Sequence, residues 1–164
     1  MSALGIRCLA AAACVAFGFT VLEAAAGPAE VAQIKPRQDK LRDMGGALKA
    51  ITDEIKKGRI DWDNTVIPNA QTIKDRSAYL LNWFPKGSGP ESGKKTYALP
   101  AIWQKNDDFV KLGKAAQAEA VKLDQVANSK NLDALKAEAV TMGKACKACH
   151  DDYRSKDYEK ENDE

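Results

Sequence analysis

A short segment near the C-terminus combines two cysteines with the only histidine of the chain. Its sequence is Cys146-Lys147-Ala148-Cys149-His150. Two thiols separated by two residues can form thioether bonds to the vinyl groups at one edge of a haem, and a histidine that follows directly is then aimed at the iron. The spacing therefore predicts one covalently bound haem c, with Cys146 and Cys149 as attachment points and His150 as the proximal iron ligand.

The N-terminus has the three parts of a secretory signal peptide. They are a basic residue at Arg7, an apolar run from Cys8 to Leu22, and small residues up to Ala26. We predict that residues 1–26 are cleaved and that residues 27–164 form the mature domain in the periplasm. A retained membrane anchor is disfavoured because the run is shorter than the ~20 apolar residues of a spanning helix. A lipoprotein acylated at Cys14 is disfavoured because a small residue precedes it where a branched apolar one is expected.

After cleavage, the motif would contain the only cysteines of the mature chain, because Cys8 and Cys14 belong to the predicted signal peptide. A zinc site normally needs four protein ligands, or three and a water molecule. The two cysteines and one histidine fall short of four, and a site with water would need all three of them. A thioredoxin-like redox pair is expected in a βαβ setting, whereas this pair lies near the end of a helical pattern. Haem attachment is the reading that uses all three side chains.

The composition fits one domain and argues against a nucleic-acid partner. The chain has 164 residues, of which 45% are hydrophobic, and this supplies one ordinary core. It contains 25 Lys and Arg against 23 Asp and Glu, a net charge of only +2. No cluster of basic residues with interleaved aromatic ones occurs in the sequence, so the electrostatic pattern typical of DNA or RNA binding is missing.

Apolar residues at helical spacing predict four helices. The first runs from Ile34 to a stop at Gly58, the second from cap residues at Asp61 to Asn64 to near Pro85, the third from Pro100 to a break at Asn128 to Asn131, and the fourth from Leu132 through Tyr153. The Gly- and Pro-rich stretch between residues 85 and 100 is predicted to be a surface connection, and the polar tail from residue 156 to 164 to be frayed. This pattern favours an all-α fold, an antiparallel up-and-down four-helix bundle around the haem.

Several segments match a known family of haem proteins. The last helix matches from Gly143 through the haem motif to Arg154, and the first helix matches at Arg37, Leu41 and Met44. The loop beginning at Phe84-Pro85 and the segment Leu99-Pro100-Ala101-Ile102-Trp103 are similar too. In these features the chain resembles the class II c-type cytochromes, which include the cytochromes c′ and their low-spin relatives. The resemblance implies a four-helix bundle with one haem near its C-terminal end.

The resemblance also implies roles for residues outside the haem motif. The arginine matching Arg37 commonly reaches a haem propionate, and the one matching Arg154 lies beside the proximal histidine, although each also has an alternative role as a solvated surface residue. The residue over the iron matches Leu41, which cannot ligate iron and predicts a five-coordinate, high-spin haem. Met44, one helical turn further along, is the alternative sixth ligand if the helix register shifts, with core packing as its default role.

Two functions stay open from the sequence. The first is one-electron transfer through the haem iron, with a redox partner that the sequence does not name. The second is binding of a small gas, nitric oxide or carbon monoxide, beneath Leu41. Enzymatic activity is not expected, because a peroxidase would need a distal histidine to handle protons. The family resemblance further suggests a homodimer, and cleavage of the signal would leave no membrane span.

Overall fold

The computed structural model describes residues 27–162, so the predicted signal peptide lies outside the described residues. Four helices form the bundle: α2 (Ile34–Lys57), α3 (Ile67–Ser77), α5 (Asn106–Ser129) and α6 (Leu132–Tyr153). Three short helices accompany them: α1 (Pro28–Ala32), α4 (Ala101–Gln104) and α7 (Asp157–Asn162). α2 packs against α3 and α6, and α5 packs against the same two helices, which closes the ring of a four-helix bundle. In this part of the chain, no helix has both the length and the apolar character to cross a bilayer.

The first and last helices of the bundle form as their sequences predict. α2 buries Met44, Ala47 and Ile51, which recur at the three- and four-residue spacing of one helix face. It ends at Gly58, whose φ of 73° is the left-handed conformation that glycine adopts readily. α6 begins after Asn131, whose side chain accepts a hydrogen bond of 3.0 Å from the backbone N–H three residues later.

The second predicted helix is divided into three pieces, so its prediction as one segment to Pro85 was wrong. A π-helical turn over Trp62–Val66 precedes α3, and a 3-10 turn over Leu80–Trp83 follows it. The side-chain amide of Gln117 on α5 donates to the carbonyl oxygens of Ser77 and Ala78, at 2.8 and 3.3 Å. A helix end leaves its last carbonyls without intrahelical donors, and this contact from α5 satisfies two of them at the end of α3.

The core lies in two clusters. The larger fills the bundle between the four long helices and contains Met44, Ile51, Val66, Ile73, Trp83, Leu123, Leu135 and Met142 among its buried members. The smaller surrounds Phe109, which makes edge-to-face contacts with Phe84 and Tyr153 at ring-centroid distances of 5.1 and 5.2 Å. Because Tyr153 ends α6, this second cluster fixes the C-terminal end of the helix that contains the cysteines.

The connection between residues 85 and 100 lies mostly at the surface, as predicted, but the C-terminal tail differs from its prediction. Ser88, near the start of the connection, is fully buried. The backbone N–H of Leu99 donates to Tyr153 and that of Ser155 donates to Tyr97, at 3.0 and 2.7 Å. These bonds tie the tail to the connection, and the tail forms α7 where fraying was expected. Hydrogen bonding between two segments far apart in sequence therefore orders both of them.

Candidate haem site

The three side chains of the haem motif lie on one turn of α6. Cys149 and His150 follow Cys146 by three and four residues, so a helix presents them on the same face as Cys146. All three are half-buried, and both cysteines are free thiols. Within residues 27–162, neither ring nitrogen of His150 takes part in a hydrogen bond with the protein. The turn thus presents two free thiols and one free imidazole side by side.

The electrostatic surroundings keep these groups uncharged at neutral pH. Burial, with smaller contributions from Cys146 and Asp152, raises the pKa of Cys149 to about 11. Burial and then the nearby charge of Arg154 lower the pKa of His150 to about 4. A neutral imidazole has a nitrogen lone pair available for a metal. The donor set therefore fits a covalently attached haem, with the two thiols for the vinyl groups and His150 for the iron.

Arg154 follows the motif by one helical turn and is held by the C-terminal tail. Its backbone N–H donates to the carbonyl oxygen of His150 at 3.3 Å, which places it at the end of the same helix. Its guanidinium pairs with Glu159 at 3.0 Å and lies 4.4 Å above the ring of Tyr158. The side chain is only 25% exposed, so it is neither freely solvated nor fully enclosed.

Arg37 on α2 is buried, with 2% of its surface exposed, so the alternative of a solvated arginine is wrong. Its guanidinium donates to the hydroxyl and carbonyl oxygens of Ser88, both at 2.7 Å, and to the hydroxyl of Thr96 at 2.8 Å. It also lies 4.8 Å over the ring of Phe84. Arg37 therefore holds the connection between residues 85 and 100 against α2.

Within residues 27–162, Arg37 forms no ion pair with a carboxylate. Its hydrogen bonds go to neutral oxygens, and burial, only partly opposed by the charge of Glu91, lowers its pKa to about 10, which still leaves it cationic at neutral pH. A buried cation without a carboxylate partner is a suitable neighbour for an anionic group. A haem propionate is such a group, and the contact predicted for it stays a prediction.

Leu41 and Met44 both lie on the side of α2 that faces the interior. Met44 is 8% exposed within the larger core cluster, and Leu41 packs against the same cluster from its edge. Cys146 of α6 packs against this cluster as well. The fold thus brings the two alternative distal residues of α2 and the first cysteine of α6 to one apolar region. That Leu41 covers the second face of the iron, or that Met44 ligates it there, stays a prediction in each case.

Sequence patterns did not reveal the residues that hold the two arginines. Ser88 and Thr96 bind Arg37, and Glu159 and Tyr158 bind Arg154. The serine and threonine belong to a Gly-rich connection and the other two to a charged tail, and both segments have the composition of ordinary surface chain. No periodicity or motif distinguishes such residues, because their partners are determined by the tertiary fold.

A family model described as Cytochrome C′ matches residues 32–154. The chain belongs to the cytochrome c′ family. Cytochrome c′ from Alcaligenes xylosoxydans xylosoxydans is 36% identical over 124 residues, which cover 75% of this chain and 93% of that protein. Members of the family contain one covalently attached haem c, which confirms the predicted cofactor and the class II c-type resemblance.

Solved structures confirm the fold. The crystal structure of cytochrome c′ from Thermochromatium tepidum has a TM-score of 0.71 at 26% identity, covering 77% of this chain and 96% of that one. A nitric oxide complex of a leucine-to-alanine variant of cytochrome c′ from Alcaligenes xylosoxidans has a TM-score of 0.69 at 30% identity, covering 77% of this chain and 96% of that one. The all-α four-helix bundle predicted for this member of the cytochrome c′ family is therefore confirmed.

Proposed function

We propose that this protein transfers single electrons in the periplasm through a haem c attached at Cys146 and Cys149, with His150 as the proximal iron ligand. The observation that carries the proposal is the turn of α6 on which two free thiols and a free imidazole share one half-buried face. The haem iron supplies the redox chemistry by gaining or losing one electron. Enzymatic turnover is not part of the proposal, because the chain has no second histidine for proton transfer.

The bundle contributes a rigid and largely dry environment. Buried apolar side chains such as Leu135, Ala139 and Met142 line the inner face of α6 before the motif. Low polarity around a haem disfavours the more highly charged oxidised iron, and so do the positive charges of Arg37 and Arg154. These residues would together favour the reduced state, whereas a rigid helix limits the structural change that accompanies electron transfer.

The proposed location follows from the N-terminal sequence, and the proposed assembly follows from the family resemblance. Periplasmic export is supported by the signal-like pattern of residues 1–26, which lies outside the described structure. A homodimer stays a prediction from the family resemblance. The redox partner is a protein whose identity the chain does not indicate.

Spectroelectrochemistry of the purified holoprotein tests electron transfer directly. We expect one reversible couple that follows one-electron Nernst behaviour, with oxidised and reduced spectra recovered over repeated cycles. Haem that stays bound through denaturation would show the thioether attachment. An irreversible reduction, or a couple that requires more than one electron, would contradict the proposed function.

Gas binding is the second proposed function, favoured by the apolar position of Leu41. Its side chain packs against the interior cluster that also contacts Cys146, and a leucine cannot occupy a coordination position. A related cytochrome c′ variant has been solved as a nitric oxide complex. Titration of the reduced protein with carbon monoxide tests this function. A broad high-spin spectrum that changes on binding would support it, and a sharp low-spin spectrum without binding would exclude it.

A further inference from the structure

The C-terminal tail extends past the region that the family model matches. That match ends at Arg154, and the tail continues through α7. The hydroxyl of Tyr97 donates to Glu161 at 2.7 Å, and Lys95 forms an ion pair with the same carboxylate. The rings of Tyr97 and Tyr158 meet edge to face at 5.2 Å. The tail is therefore anchored to the segment before α4 by contacts that do not involve the haem motif.

A separate pair of contacts connects the tail to Arg154. Glu159 accepts a hydrogen bond from the guanidinium of Arg154 at 3.0 Å. The central carbon of this guanidinium lies 4.4 Å from the centroid of the Tyr158 ring. The two contacts come from consecutive residues of α7, so they hold the guanidinium from two directions. Arg154 lies one helical turn after His150, and its backbone N–H donates to the carbonyl oxygen of His150 at 3.3 Å, so the paired charges of Arg154 and Glu159 lie beside the haem motif.

We propose that Glu159 pairs with Arg154 beside His150 and thereby offsets part of its charge at the iron. The inference rests on the proposed function, because it requires His150 to be the proximal ligand. A positive charge near the iron disfavours its oxidised state, and a carboxylate paired with that charge reduces the effect. The tail would thereby set part of the reduction potential through its contact with Arg154.

The chain contains a matched control for this role. Glu161 lies on the same short helix and has the same charge as Glu159, but it binds Lys95 and Tyr97 instead of Arg154. Loss of Glu161 would loosen the tail and remove one negative charge from the same region. A residue that acts only by anchoring the tail would therefore give the same result at either position.

The experiment compares midpoint potentials of the holoprotein and its Glu159→Gln, Glu159→Asp and Glu161→Gln variants. We expect Glu159→Gln to raise the midpoint potential by about 28 mV, because one negative charge is lost. This shift corresponds to a roughly threefold change in the equilibrium constant of reduction, at about 59 mV per tenfold change. Glu161→Gln should give less than half of that shift, and Glu159→Asp should stay near the wild-type value. Equal shifts from the two glutamine variants would overturn the proposal.

A second background tests whether Glu159 acts through the arginine. In an Arg154→Gln protein, the additional Glu159→Gln change should shift the potential by less than half of its effect in the wild type. Without its ion pair with Arg154, the exposed Glu159 carboxylate is no longer held beside the haem motif, and solvent screens its charge. Equal effects in both backgrounds would overturn the proposal. A wild-type protein without a reversible couple would overturn the proposed function and this inference together, whereas a reversible wild type with an inert Glu159 would overturn only the inference.

Discussion

The two helices that contribute the predicted haem-site residues build their parts of the site in different ways. On α6, Cys146, Cys149 and His150 are neighbours in sequence, and one helical turn is enough to bring them together. On α2, Arg37 is placed by hydrogen bonds to Ser88 and Thr96, which lie far along the chain. The groups that would attach the haem thus depend on local structure, whereas the placement of Arg37 depends on tertiary packing. Variants of the two helices should fail in different ways.

The largest effect is expected from removing the attachment points on α6. In a Cys146→Ala, Cys149→Ala variant, the helix should persist because alanine favours helices, but the covalent haem should be lost. Mass spectrometry of the denatured protein measures this directly. Lys147→Ala is the matched control, because Lys147 lies between the cysteines but is exposed and pairs with Asp151. Covalent haem in the double variant, or its loss in the control, would contradict the assignment.

On α2, replacement of Arg37 should mainly reduce stability. Arg37→Leu leaves buried oxygens of Ser88 and Thr96 without their donor, and we expect a loss of about 3 kcal/mol in the free energy of unfolding. Denaturant titration of the holoprotein measures it. Arg42→Leu, at an exposed residue of the same helix paired with Asp39, should change stability by less than ~1 kcal/mol. Similar losses in both variants would show that the buried network contributes little.

Substitutions at Leu41 and Met44 test which residue of α2 lies over the iron. If Leu41 does, Leu41→Met should convert a high-spin spectrum into a six-coordinate, low-spin one, because a thioether sulfur can ligate iron. Met44→Leu should leave the spectrum unchanged and cost less than ~1.5 kcal/mol, as expected for a volume-conserving core change. Absorption spectra of both redox states measure the outcome. The opposite pattern, with a response only at Met44, would assign the sixth position to Met44.

The smallest effect concerns a carboxylate at the far end of α2. Hydrogen bonds from Lys57 and from the backbone N–H of Asp61 lower the pKa of Glu54. A lowered folded-state pKa stabilises the protein above the unfolded pKa of ~4.3, and this contribution is lost as the pH falls through the folded value. Glu54→Gln should therefore weaken the dependence of stability on pH in the acid range. Asp63→Asn, at a more exposed carboxylate, is the control, and the haem spectrum should not change in either variant.

The sequence was sufficient where structure is determined locally. The stripe of α2, its stop at Gly58 and the cap at Asn131 are signals within a few residues, and the haem motif occupies a single turn. The interruption after α3 was not predictable, because the side chain that binds the carbonyls at this helix end, Gln117, lies on another helix. The burial of Arg37 and the order of the C-terminal tail likewise depend on partners far away in sequence. Composition predicted a frayed tail and did not indicate the partners of Arg37.

Resonance Raman spectroscopy of the reduced holoprotein tests the assignment of His150 most directly, because an iron–histidine stretching band reports the proximal bond itself. We predict that the band is present in the wild type and absent from His150→Gly, while the haem stays covalently attached through both cysteines. Added imidazole should restore a band by filling the space that the side chain leaves. An iron–histidine band that persists in His150→Gly without imidazole would contradict the assignment of His150 as the proximal ligand.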